Sequence, residues 1–263
     1  MPTVGVVVPA YDPEPERLRG YLRDLRAVLD PAELRVELDA PAPGQPASLD
    51  LPDGVECAVS SRRRGKGAAV TAGFEALSTD VLAFADADGA TPADSLDDVV
   101  STVLEGETDL AVGSRRHPNA DVRSHQTFAR RFLGDGYAWV ARRLLEADLY
   151  DYQCGAKATT ADAWDAVRGH LYEPGFAWDI ELVAVAAALE FGITEVPVTW
   201  EDQPGSTVSP VRDTLDMGRG LLVARHRARL IRNDRLHRLF DREDATALVE
   251  GPDEDPEPGS DPR

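Results

Sequence analysis

Two rhythms of apolar and polar positions run through this chain. Short runs of strand length, Val4–Val8, Leu34–Leu38, Val55–Val59, Val81–Ala85 and Asp109–Val112, are separated by stretches with helical spacing. Runs of that kind between helical patterns predict the buried strands of an α/β, mostly parallel sheet flanked by helices. Leu18, Tyr21, Leu22, Leu25, Val28 and Leu29 recur at helical spacing until Pro31 stops the helix. Further helices are predicted over Ala68–Leu77, Ser95–Leu104, Phe128–Leu149, Asp162–Val167, from Phe176 onward, and over Asp213–Phe240. Pro9–Asp12 reads as a loop, with Pro13 and Pro15 preventing immediate helix, and Pro41–Pro52 as a surface loop. Asp151–Lys157 reads as a short non-helical segment, and Thr194–Trp200 as an extended one whose Pro197 suits a sheet edge. Leu182–Leu189, bounded by Glu181 and Glu190, is a buried helix and not a span. No run approaches the roughly 18 apolar residues that a membrane crossing needs.

The polar residues that end these strands carry the candidate chemistry. The run Val81–Ala85 stops in Asp86-Ala87-Asp88-Gly89. Ligands of such sheets sit beyond the carboxyl ends of the strands. Two hard oxygen ligands there suit Mg²⁺ or Mn²⁺ bridging a diphosphate, and the same spacing also suits an Asp-rich turn capping the next helix. Ser60–Gly67, which includes Arg62, Arg63, Arg64 and Lys66, opens the next helix with glycines, cations and a helix N-terminus, a combination that favours an anion. Asp12, Asp39 and Arg115 end other strands. Their convergence on one sheet edge is a stronger signal than any single motif.

Composition narrows the partners. The chain has 263 residues and a formal net charge of -19, which argues against nucleic acid. It holds 26 arginines and only two lysines, Lys66 and Lys157. That balance suits a high-salt cytoplasm, as in a halophilic archaeon, where salt screens most of the field. Cys57 and Cys154 are too few and too far apart for a disulfide framework or a metal cage, which implies a reducing compartment. Met1-Pro2-Thr3 leads straight into a strand without a signal-peptide pattern. Against this acidity the last predicted helix is basic. It carries Arg219, Arg225, Arg227, Arg229, Arg232, Arg235 and Arg238 beside Leu215, Leu222, Leu230, Ile231, Leu236, Leu239 and Phe240. Such a helix lies on an anionic bilayer or packs its stripe on its own domain. Residues Glu250–Arg263, rich in Pro, Asp and Glu, read as a disordered tail.

Seven short motifs follow one another in order: Val-Val-Val-Pro-Ala-Tyr, Arg-Gly-Lys-Gly, Asp-Ala-Asp-Gly-Ala-Thr, Gly-Ser-Arg, Asp-x-Gln-Cys-Gly-x-Lys, Trp-Asp-Ile-Glu and Val-Pro-Val-x-Trp. The ordered set, over about residues 4–225, resembles the inverting family-2 glycosyltransferases with a GT-A fold. Within them it is similar to the polyprenyl-phosphate sugar synthases, above all those that make dolichyl-phosphate glucose. The resemblance implies that Pro9, Ala10, Tyr11, Asp39 and Lys66 cradle a nucleotide. It implies that Asp86 and Asp88 hold its diphosphate through Mg²⁺ or Mn²⁺, Asp88 being the direct metal ligand. Arg115 and Arg131, with Arg130 as the alternative to the second, would receive the acceptor phosphate, and Gln153 and Lys157 would border the sugar. Asp179 or Glu181 would sit near the anomeric carbon, Asp179 being the first candidate for a base. The implied partners are a UDP-sugar donor and a polyprenyl-phosphate acceptor at the cytoplasmic face of a membrane, reached through the C-terminal helix or a membrane-protein partner. Two alternatives stay open: a non-lipid acceptor, and an inactive GT-A module of a glycosylation complex. The chain departs from the family pattern at Asp12-Pro13, where Asn-Glu is usual, and after Asp39, where Asp-Gly-Ser is usual. The retained Gly205-Ser206-Thr207 lacks a following basic residue, a place Arg212 could take. The expected organisation is a GT-A domain over residues 1–210, an amphipathic helix over 211–242 and an acidic tail over 243–263.

Overall fold

The computed structural model describes residues 2–123, 140–201, 210–232 and 246–250. Seven strands form one sheet: β1 (Val4–Tyr11), β2 (Glu33–Asp39), β3 (Val55–Ser60), β4 (Val81–Ala85), β5 (Leu110–Ser114), β7 (Ala156–Thr160) and β8 (Ile193–Pro197), in the order β3-β2-β1-β4-β7-β5-β8. A second, two-stranded sheet pairs β6 (Asp121–Arg123) with β9 (Thr199–Glu201). The helices are α1 (Pro15–Leu29), α2 (Gln45–Ser48), α3 (Lys66–Ala76), α4 (Ala93–Leu104), α5 (Ala161–Val167), α6 (Trp178–Ala188) and α7 (Pro210–Ile231).

Strand alternation divides the core between two layers. Val6 and Val8 of β1, with Val81, Ala83 and Ala85 of β4, face Leu18, Leu22 and Leu25 of α1 and Leu96 and Val99 of α4. Val7, Leu82 and Phe84 face the other way, onto Val70 and Phe74 of α3 and Trp178 and Ile180 of α6. All five residues of β4 are buried, because both faces of this central strand are covered. On the edge strand β8 Pro197 lies opposite Ser114, in keeping with its sequence signal.

Several boundaries differ from the sequence reading. β1 continues through Pro9 and Ala10 to Tyr11, which pairs with Asp39, so this stretch is strand and not loop. Pro15 is the first residue of α1, a position whose missing N–H costs nothing, while the Glu14 carboxylate accepts from the amides of Glu16 and Arg17. The loop after β2 contains α2 and buries Leu49 completely. The helix predicted to reach Leu149 ends at residue 144. Beyond it Leu145 and Leu149 are buried, and the Tyr152 hydroxyl donates to the Ala147 carbonyl.

The largest departure is β7. Ala-Lys-Ala-Thr-Thr carries no apolar run, yet it lies antiparallel between β4 and β5, where its small side chains fit. In the last predicted helix, Leu221 and Ala224 of α7 pack into the core shared with α6, whereas Leu222 is exposed. Among the described residues no helix is long and apolar enough to cross a membrane.

Candidate active site

β7 determines where the site forms. Because it runs against its neighbours, its first residue, Ala156, stands opposite Ala85, the last residue of β4. The turn Cys154–Gly155 therefore meets the Asp86 end of β4, and Asp86 N donates to the Gly155 carbonyl at 3.0 Å. A Cβ at Gly155 would overlap the Asp86 carboxylate, so any side chain here would displace that carboxylate.

The two lysines of the chain converge on one carboxylate. Asp179, in the first turn of α6, is 1 % exposed. Its Oδ1 lies 2.6 Å from Lys157 Nζ and its Oδ2 lies 3.0 Å from Lys66 Nζ. Lys66 Nζ also lies 2.9 Å from Asp86 Oδ1, and Lys157 Nζ donates to the Cys154 carbonyl at 2.8 Å. Both ammoniums stand over the Phe84 ring, 5.0 and 5.6 Å from its centroid. Burial works to push the Asp179 carboxyl up, but Lys157 and then Lys66 outweigh it and hold the group below its ordinary value. With both oxygens engaged by cations, Asp179 is a fixed anion in this arrangement. Glu181, the alternative at this place, turns away: it accepts from the amides of Tyr172 and Glu173 at 2.9 and 2.7 Å and pairs with Arg227.

Asp86 keeps 42 % of its side chain exposed, so it faces both Lys66 and solvent. Asp88 accepts from Ala90 N at 3.0 Å. Burial, and next the Asp86 charge, raise its pKa. The same two carboxylates, after burial, raise the Tyr21 phenol, whose hydroxyl donates to the Thr91 carbonyl. Two carboxylates that repel each other at the mouth of a strand end fit a divalent cation of hard-oxygen preference. Among the described residues no third His, Cys, Asp or Glu joins them to complete a protein cage, so ligand oxygens and water have room in the coordination shell.

The glycine loop is tied to the end of β2. The amides of Arg64 and Gly65 donate to Asp39 Oδ2, each at 2.9 Å, and Arg64 Nε donates to Asp39 Oδ1 at 2.8 Å. At the start of α3, Ala68 N donates to the Pro174 carbonyl. Asp39, 3 % exposed, thus braces this loop. Glu37, which the sequence reading missed, is buried beside it and pairs with Arg35 and Arg64. Its signal was the charged series Glu33, Arg35, Glu37 on one face of an otherwise apolar strand.

Pro9 and Ala10 lie within β1, and Tyr11, its last residue, is half exposed with the Arg63 guanidinium 3.8 Å from its ring centroid. Arg63 belongs to the basic loop that the sequence marked as favouring an anion. On the far side Arg115 forms a two-point ion pair with Asp151, Nε to Oδ2 at 2.7 Å and Nη2 to Oδ1 at 3.0 Å. Burial opposes ionisation of Asp151, and Arg115 more than offsets it, holding that carboxyl well below the usual range. Gln153 Nε2 is 3.5 Å from the Phe176 carbonyl. Arg130, Arg131, Gly205–Thr207 and the basic residues beyond Arg232 lie outside the described residues, as does the Arg212 side chain.

Comparison with known proteins agrees with this fold. Residues 6–139 match the family model described as "Glycosyl transferase family 2". The chain is 36 % identical to glycosyltransferase AglD of Haloferax volcanii over 163 residues, covering 62 % of this chain and 26 % of that protein. It is 33 % identical over 171 residues to dolichyl-phosphate beta-glucosyltransferase of Mus musculus, covering 63 % of this chain and 53 % of that one. The Saccharomyces cerevisiae protein of the same name is 30 % identical over 176 residues, with the same coverage of each chain. The chain thus spans about half the length of these glucosyltransferases and about a quarter of AglD. Glucosyl-3-phosphoglycerate synthase of Mycobacterium tuberculosis, solved with Mn²⁺, UDP-glucose and phosphoglyceric acid, superposes with a TM-score of 0.61 at 16 % identity, over 85 % of this chain and 80 % of that one. At that identity the likeness concerns the fold. The strand-end carboxylates, the ordered motifs and the match over residues 6–139 lead to one conclusion: this chain belongs to glycosyl transferase family 2.

Proposed function

We propose that this protein moves a hexose, glucose in our reading, from a UDP-sugar to a polyprenyl or dolichyl phosphate, with inversion at the anomeric carbon. The observation that carries the reading is the cluster of Lys66, Asp86, Lys157 and Asp179 beside Asp88 at the end of β4, with Arg115 directly after β5, on the other side of β7. The relatives named dolichyl-phosphate beta-glucosyltransferase supply the acceptor class. The fold neighbour solved with Mn²⁺ and UDP-glucose supports the donor and the metal.

In this reading Asp86 and Asp88 hold Mg²⁺ or Mn²⁺, which when bound supplies positive charge for the leaving diphosphate. Lys66 adds a fixed ammonium next to the same group, and Tyr11 offers a ring for the base. The acceptor phosphate is already an anion. One of its oxygens forms the new bond to C1 as the bond from C1 to the diphosphate breaks, so no proton has to be removed. The residues hold two anions together and stabilise developing charge, which is where catalysis of this kind gains most. Asp179, engaged by both lysines, accordingly orients them and a sugar hydroxyl, and Arg115 and Arg131 receive the acceptor phosphate. Basic α7 brings the domain to the cytoplasmic face of the membrane as a peripheral protein.

The test is a calorimetric titration with UDP at high salt, with and without Mn²⁺, on wild type and Asp88→Ala. Metal-dependent binding that the variant loses is the expected result, followed by sugar transfer that requires polyprenyl phosphate. Binding indifferent to metal and to Asp88, or UDP release indifferent to the lipid, would overturn the proposal.

A further inference from the structure

We infer that helix α7 sets the geometry of the Lys66–Asp179 centre, acting through the segment Tyr172–Ala177, with Arg227 and Gly220 as positioning residues. The inference rests on the functional reading above only for what the centre does; the coupling itself follows from packing.

The inner side of the segment is locked to the glycine loop. A Cβ on Gly65 would stand 2.5 Å from the Pro174 carbonyl oxygen, and one on Gly67 would stand 2.5 Å from both the Glu173 carbonyl oxygen and Trp178 Cβ. The two residues that flank Lys66 therefore touch the segment's backbone, and Ala68 N donates to Pro174 at 3.1 Å. At its end the segment runs into α6, whose first turn holds Asp179. Lys66 and its partner carboxylate are thus registered to the same six residues.

The outer side is held by α7 at both ends. A Cβ on Gly220 would overlap Ala177 Cβ, so the helix crosses there at the closest approach that a glycine allows. Seven residues on, about 10 Å along the same helix face, the Arg227 guanidinium lies 4.4 Å from the Tyr172 ring centroid and pairs with Glu181. The other Glu181 oxygen takes the amides of Tyr172 and Glu173. Arg227 and Gly220 thus press on the two ends of one short segment, and that segment meets the active-site loop. Arg229, on the same helix, pairs with Glu146 instead.

A misplacement of about 1 Å at a reacting centre costs on the order of 100-fold in rate. The test compares the full-length wild type, Arg227→Ala, Arg227→Lys, Gly220→Ala and Arg229→Ala. Hydrogen exchange is read on peptides covering residues 64–69 and 172–177, alongside the melting temperature and steady-state transfer from UDP-glucose to polyprenyl phosphate. Arg227→Ala is expected to raise exchange in both peptides and to lower kcat by about 10- to 100-fold at nearly unchanged donor KM. Arg227→Lys recovers most of the loss, and Arg229→Ala shows neither change. Should Arg227→Ala fail to fold, Gly220→Ala, which displaces Ala177 without removing a charge, is held to the same exchange and kcat criteria. Unchanged exchange at residues 64–69, or equal effects in Arg229→Ala, would overturn the inference. A wild type that transfers nothing overturns the functional reading alone, and the exchange result still decides the coupling.

Discussion

Replacing Asp179 by Asn removes one charge from the most enclosed part of the site. Lys157 is 1 % exposed and would be left without a carboxylate partner, while Lys66 would keep Asp86. Breaking a buried ion pair by removing one partner costs about 3–5 kcal/mol, because an uncompensated charge stays behind. At about 2–4 °C per kcal/mol for a chain of this size, the melting temperature should fall by roughly 6–20 °C. The loss should persist at high salt, since buried pairs are screened little. It should also depend on pH. The Asp179 carboxyl is held below its ordinary value, so its contribution is complete above the unfolded pKa of about 4 and disappears as pH falls through the lower folded value. The gap between wild type and variant is therefore widest near neutrality and narrows below about pH 4. Urea unfolding at pH 7 and pH 3.5 measures it. The double variant Asp179→Asn/Lys157→Met, which removes both charges, should recover about 1–2 kcal/mol of the loss. A single-variant loss below about 1 kcal/mol at pH 7, or a double variant no more stable than the single one, would refute this account of the centre.

Two further outcomes follow from the same packing. Gly67→Ala places a methyl 2.5 Å from the Glu173 carbonyl oxygen and from Trp178 Cβ, so it should cost about 1–3 kcal/mol in chemical denaturation and weaken UDP binding through the displaced loop. Arg115→Met leaves Asp151 buried without its two-point partner. The variant should lose about 3–5 kcal/mol at neutral pH and show a shallower acid limb than wild type, because the stabilisation that wild-type Asp151 loses on acidification is already gone.

Much of this protein is legible before folding. Val4–Val8 and Val81–Ala85 are apolar over the whole strand because both faces are covered, and period and punctuation reveal that locally. Asp86 and Asp88 at the end of such a run point to the site, as do the glycines around Lys66. What stayed hidden depends on which distant segments meet. β7 carries no apolar signature, since its environment is two flanking strands that favour small side chains, and only the sheet order reveals it. Asp39 stands out by its strand-end position, but that its Oδ2 takes the amides of Arg64 and Gly65 and its Oδ1 the Arg64 side chain is visible only in the folded chain. The sequence alone determined which strands are buried and which polar residues end them, because burial periodicity and residue type are local properties. Only the tertiary structure decided that both lysines share Asp179, that Glu181 serves the Tyr172–Ala177 segment, and that α7 reaches the site through it, because charge partners are chosen by register between elements far apart in the chain.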